Sequence, residues 1–178
     1  MPIRFPQEAV LRDGRRVTIR PFAAQDTDAL HEFFQRLPLD YVRCAWDRID
    51  QRTTVERWAQ ELDYEKAVPL VALNGAQIVA DATLHYRDRG PLRLVGRLKW
   101  LIDTEYRGVG LGTVFVDTFI TLARESGLRH LTCMLICDLE EDAIDTLKSM
   151  GFESYTLPGY GTDPDGTPRD MVKMILKL

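Results

Sequence analysis

The residues best placed to do chemistry are three alternate glycines. Gly108, Gly110 and Gly112 lie in the run Asp103-Thr104-Glu105-Tyr106-Arg107-Gly108-Val109-Gly110-Leu111-Gly112-Thr113. An apolar strand-like stretch precedes that run and an apolar helix-like stretch follows it. A residue without Cβ lets a ligand approach the backbone closely. The first amides of a helix have no internal partner, and the helix dipole favours negative charge beside them. The chemistry this predicts is the holding of an anion, best a phosphate or diphosphate, with Arg107 able to add a charged contact. A dinucleotide fingerprint needs glycine at its first, third and sixth positions, and counting from Gly108 the sixth is Thr113. A Walker loop needs Gly-Lys-Ser/Thr after four spacers, which this chain lacks. The bland alternative is that the glycines only permit a tight turn. Against it, glycine costs roughly 0.5–1 kcal/mol relative to alanine in a helix interior.

Titratable side chains form a second, weaker set. Asp81, Thr83 and His85 alternate along one strand and share its polar face. His85 is the more attractive base of the three, since an unperturbed imidazole titrates near pH 6.5. Either Asp81 or His85 can equally be a plain surface residue. Asp138 with Glu141 reads as a capping box for the helix that follows, and Glu140 reads as a substrate contact or as an acid complementing that helix's dipole. Tyr155 and Tyr160 read as hairpin packing. Cys44, Cys133 and Cys137 with three histidines give neither a disulfide framework nor a metal set, so no metal is expected.

The positioning elements follow from periodicity. Residues 1–16 read as a lead-in with a turn at Asp13-Gly14, and 17–20 as a short strand stopped by Pro21. Asp26 opens a helix carrying Ala29, Leu30, Phe33, Phe34 and Leu37 on one side, ended by Pro38. Residues 38–52 read as loop and short helix, and 53–64 as a second helix. Then come a strand at 68–73, the turn pair Asn74-Gly75, and strands at 77–86 and 92–102. A mostly apolar helix over 110–125 ends at Gly127. A strand at 130–137, a helix to Met150, and a hairpin of 152–157 with 171–178 complete the chain. The connection 158–170 of that hairpin reads as a long loop. The unit 92–102, 110–125, 130–137 is a crossover of the length that parallel pairing needs. A mixed α/β sheet of about seven strands, with helices on both faces, follows.

The chain has 178 residues, which suits one domain. Its formal charge of −4 argues against a nucleic-acid surface. No stretch approaches the roughly 20 apolar residues that span a bilayer, and Met1-Pro2-Ile3-Arg4-Phe5 shows no signal-like run. A cytoplasmic protein without membrane or nucleic-acid partners is expected.

The glycine run resembles the acyl-CoA binding motif of the GNAT superfamily of N-acetyltransferases, Arg/Gln-x-x-Gly-x-Gly/Ala. Leu101-Ile102-Asp103, Glu105-Tyr106 and the distal Ala143-Ile144…Met150-Gly151-Phe152 are similar to that family too. The resemblance runs from Val17 to Leu178. The opening Leu11-Arg12-Asp13-Gly14…Val17-Thr18-Ile19-Arg20-Pro21 is similar to bacterial protein-lysine acetyltransferases. The resemblance implies a GNAT-like acyl-CoA N-acyltransferase fold and acetyl-CoA (coenzyme A) as cofactor. It implies that backbone amides from Val109 to Thr113 hold the diphosphate, with Arg107, Gly108, Val109, Gly110, Leu111, Gly112 and Thr113 all cofactor-binding residues. It implies that Trp100, Leu101 and Ile102 pair with the pantetheine arm, the Ile102 amide polarising the acetyl carbonyl. The reaction implied is direct attack by a primary amine, of a small molecule or of a protein lysine or N-terminus, on the thioester. A homodimer through the last strands is common in the family.

Three positions depart from the family pattern. Glu140 stands where an asparagine is frequent, Leu147 where a tyrosine acid is frequent, and Arg97 near a frequent glutamate. The substitutes weighed for acid–base work are Asp81, His85 and Glu140. The departures keep a second expectation open, an acyl-CoA-binding or sensing module without chemistry. A third is a domain that has lost the site.

Overall fold

The computed structural model describes residues 4–178. The first three residues of the expected lead-in lie outside them. Among the described residues eight strands form one sheet of order β1-β2-β3-β4-β5-β6-β8-β7, flanked by five α-helices. The architecture is the mixed α/β one expected from the sequence, with one strand more.

The chain divides into two compact units. One comprises Arg4–Leu84 and Trp100–Leu111. It holds β1 (Gln7–Val10), β2 (Arg16–Pro21), α1 (Thr27–Arg36), α2 (Leu39–Cys44), α3 (Arg52–Gln60), β3 (Ala67–Asn74) and nearly all of β4 (Gln77–His85). The extra strand is β1, which takes part of the presumed lead-in and pairs antiparallel with β2. Four residues at a sheet edge, alternately half-buried and exposed, give little periodic signal. The core of this unit gathers Phe22, Leu30, Phe33, Phe34, Val55, Val71 and Ile78, with Trp58 edge-on to Phe34 at 6.1 Å. Asp26 does not open the helix by capping it. Its buried carboxylate takes both guanidinium nitrogens of Arg20, at 2.6 and 2.8 Å, and the Ala23 amide.

The other unit comprises His85–Lys99 and Gly112–Leu178. It holds the first part of β5 (Val95–Ile102), α4 (Leu111–Glu125) from Gly112 on, β6 (His130–Ile136), α5 (Glu141–Ser149), β7 (Glu153–Thr162) and β8 (Pro168–Lys177). Strand β5 starts three residues later than the apolar run suggests. The turn at Gly90 continues through Arg93 and Val95, whose amides donate to the Gly90 and Leu92 carbonyls. Helix α4 is buried almost all round, as its composition implies, with only Asp117, Arg124 and Glu125 exposed. In β6, Leu131, Cys133 and Leu135 point inward opposite Leu176, Met174 and Val172 of β8. Cys137 falls one residue beyond β6.

Two ladders flank β6. The parallel ladder to β5 joins Val95 to His130, Gly96 to Leu131 and Arg97 to Thr132. The antiparallel ladder to β8 takes every residue of β6, from His130 to Ile136. The expected long connection 158–170 is mostly strand. β7 runs to Thr162, with a register shift between Leu157 and Gly161, and only a short turn precedes Pro168. An edge strand tolerates the proline and glycines that argue for a loop in sequence. No helix among the described residues is long and apolar enough to cross a membrane.

Candidate active site

Strand β5 ends at Ile102 and hands the chain to a single 3-10 turn, Thr104–Tyr106, capped by Asp103, whose carboxylate accepts the Glu105 amide. Tyr106 is buried, and its hydroxyl accepts from the Asn74 amide nitrogen at 2.6 Å. Four turn residues then lead into α4, one residue later than expected. Gly108 (φ 69°) and Gly110 (φ 96°) adopt the left-handed backbone that favours glycine. Gly112 lies inside the first turn of the helix.

The Val109 carbonyl is used by the Arg12 amide, at 2.9 Å. Gly108, Val109 and Gly110 lie in the turn, and Leu111, Gly112 and Thr113 open the first turn of α4, where helix amides have no intrahelical partner. The first amides of a helix, next to glycines that bring the backbone close to the surface, suit an anion. A Cβ at Gly108 would meet nothing within 4 Å, so the approach to the loop is open there. The donor set and the open approach fit a diphosphate.

The end of β5 offers a second recognition edge. The Asp103 amide donates to the Val79 carbonyl of β4 at 2.9 Å. Strand alternation then turns the Ile102 and Trp100 backbone groups to the opposite edge. On that edge the Ile102 carbonyl accepts Arg107 Nε at 3.1 Å. The Arg107 guanidinium also lies 3.8 Å over the Tyr41 ring of α2. Arg107 therefore braces the strand end and α2 through its side chain. Trp100, Leu101 and Ile102 are half-buried at this strand end.

Residues that the sequence does not single out support the loop from its other side. Arg15 of the β1–β2 turn donates to the Glu105 carbonyl at 2.5 Å and lies 3.9 Å over the Tyr106 ring. It also pairs with Asp13, at 2.6 Å. That hydrogen bond holds the Asp13 carboxyl below the usual carboxylate range and raises the Arg15 guanidinium. Some ninety positions separate Arg15 from Glu105, so no local pattern could reveal the contact.

The titratable set is less concentrated. Asp81 lies in the first unit, His85 and Glu140 in the second. Asp81, Thr83 and His85 do share the half-exposed face of β4, between buried Ala80, Ala82 and Leu84. Glu140 occupies the N-cap position of α5, and its carboxylate accepts the Ile136 amide at 2.7 Å. Asp138 caps nothing. It pairs with Arg169, which Asp163 also holds at 2.7 Å, so the expected capping box gives way to a cross-hairpin ion pair. Both partners push the Arg169 guanidinium up. Leu147 is buried in the core. Burial pushes the Cys133 thiol up, which suits a packing residue. Tyr155 and Tyr160 are exposed, and Tyr155 donates to Glu153, which raises the Tyr155 phenol.

A family model described as "Acetyltransferase (GNAT) domain" matches residues 16–152. Solved structures share the fold at low identity. The GNAT domain of S. lividans PAT superposes with a TM-score of 0.77 at 19% identity, over 97% of this chain and 96% of that one. A ribosomal-protein-alanine N-acetyltransferase from Brucella melitensis gives 0.75 at 23% identity, over 90% and 99%. The yncA protein of Salmonella typhimurium, solved with its cofactor acetyl-CoA, gives 0.75 at 20%, over 91% and 94%. No curated protein matches the chain significantly.

Proposed function

Because the chain belongs to the GNAT acetyltransferase family, we propose that it transfers an acetyl group from acetyl-CoA to a primary amine by direct attack. The observation that carries this reading is the loop itself, positive-φ Gly108 and Gly110 handing β5 over to the first-turn amides of α4, with an open approach at Gly108. Bound acetyl-CoA supplies an activated thioester carbonyl. The amides from Gly108 to Thr113 bind its diphosphate. The outward backbone of Trp100 and Ile102 takes the pantetheine arm as a partial extra strand, and the Ile102 amide stabilises charge developing on the carbonyl oxygen.

The incoming ammonium must lose a proton before its nitrogen can attack. His85 and Asp81 on the half-exposed face of β4 are the groups we propose for that step, with Glu140 as a substrate contact. The acid that protonates the leaving thiolate is not Leu147, a buried hydrocarbon. The acceptor we favour is a protein amine, a lysine or an N-terminus. The likeness of the opening segment to protein-lysine acetyltransferases and the name of the Brucella melitensis relative support it. Action in the cytoplasm and a homodimer through edge strand β7 belong to the same proposal.

A second reading keeps acetyl-CoA binding without transfer. Leu147 in the core and the Glu140 carboxylate engaged by the Ile136 amide favour it. Incubation with acetyl-CoA and a panel of peptides and small amines, with released CoA measured, separates the two. Amine-dependent CoA release supports the transferase. Saturable binding by calorimetry without release on any amine supports the binding module. Absence of binding at millimolar acetyl-CoA removes both.

A further inference from the structure

The turn joining β1 to β2 places an arginine against the glycine loop. The Arg12 amide donates to the Val109 carbonyl at 2.9 Å. Its side chain then runs along Gly110. A Cβ added there would stand 3.5 Å from Arg12 Nε and 3.6 Å from Arg12 Cγ. The other arginines around the loop are committed. Arg15 holds Asp13 and the Glu105 carbonyl, Arg107 holds the Ile102 carbonyl and lies on Tyr41, and Arg36 holds the Ile78 carbonyl at 2.6 Å. Among the described residues the exposed Arg12 guanidinium donates to no carboxylate and no carbonyl.

We propose that Arg12 is a further cofactor-binding residue, its guanidinium taking a phosphate of the nucleotide end of CoA beside the Gly110 amide. The planar guanidinium matches a phosphate with two parallel hydrogen bonds and is weakly hydrated, so little is lost when it leaves water. The backbone bond to Val109 fixes where that side chain starts. The glycine at 110 leaves its stem room to lie flat against the loop. Two phosphates of CoA share this chemistry, the diphosphate and the 3′-phosphate.

The inference rests on the acetyl-CoA reading, and calorimetry with CoA and dephospho-CoA separates the two. Wild type that binds neither nucleotide sinks the acetyl-CoA reading and this inference together. Where wild type binds, Arg12→Ala is expected to raise the CoA Kd about tenfold with an unchanged Tm. Arg12→Lys is expected to recover part of the loss and Arg12→Gln none. A loss on CoA but not on dephospho-CoA assigns the 3′-phosphate, and an equal loss on both assigns the diphosphate. Exposed Arg16 of β2 serves as the charge control. Arg12→Ala with wild-type affinity for both nucleotides, or Arg16→Ala with the same loss as Arg12→Ala, overturns the proposal.

Discussion

Two glycine-rich stretches of this chain look alike in sequence and do opposite work. The loop after β5 carries Gly108, Gly110 and Gly112. The β7–β8 hairpin carries Gly159, Gly161 and Gly166. In the hairpin the Gly159 amide is taken by the Asp170 carboxylate at 2.7 Å, and the Gly166 amide by the Asp163 carbonyl at 2.8 Å. Gly161 is a packing glycine, since a Cβ there would stand 2.8 Å from Met171 Sδ. In the loop Gly108 and Gly110 take positive φ just before the first turn of α4, and Arg12, not a carboxylate, lies beside Gly110. Glycine content alone marks neither a site nor a turn. Where the amides point decides.

Replacing Gly110 by valine should have the largest effect. A β-branched residue at φ 96° is strained by about 2 kcal/mol and its methyls crowd Arg12. Saturable acetyl-CoA binding in calorimetry should disappear, with a matching fall in urea stability. Retained affinity would erase the contrast between the two stretches. Gly161→Ala comes next. Overpacking against Met171 should cost about 1–2 kcal/mol of unfolding free energy and leave acetyl-CoA affinity unchanged. A parallel loss of affinity would show that the hairpin glycine also serves the site.

Arg15→Ala sharpens the comparison from beneath the loop. It removes the bond to the Glu105 carbonyl and the contact with Tyr106. A fall in Tm of a few degrees and a several-fold rise in the acetyl-CoA Kd are expected. The corresponding hairpin change, Arg169→Ala, should lower Tm only. The smallest effect is on pH. Arg15 depresses the Asp13 carboxyl in the folded chain, so its contribution is present above the unfolded value near 3.9. It is lost as pH falls through the depressed folded value. Asp13→Asn should flatten the acid side of the Tm-versus-pH curve below about pH 4. A curve superposing on the wild-type one would show that the pair is inert.

The glycine turn between β5 and α4 was legible in the sequence because glycine spacing reports backbone directly, and Gly108 and Gly110 take positive φ there. The order of the later strands and the burial of α4 were legible for a related reason, since Leu, Phe and Ile at fixed periods report which face is covered. Strand β1 was not, because Gln-Glu-Ala-Val at a sheet edge needs no apolar face. The extension of β7 through Pro158 and Gly159 was hidden because both residues normally interrupt a ladder. Asp138 was misread because its spacing to Glu141 satisfies a capping box locally, while Arg169 claims it from across the fold. Arg12 and Arg15 carry no local signal of a contact with the loop. Their importance arises only when a turn near the start of the chain meets a loop about ninety residues later.

That meeting has a practical consequence for anyone trimming the protein. The segment matched by the family model begins at Arg16, immediately after both arginines. An expression boundary drawn there would keep every glycine of the loop while discarding Asp13, Arg15 and the Arg12 amide that grips Val109. Such a shortened chain would be expected to fold with its nucleotide pocket slack, and to be mistaken for an inactive member of its family.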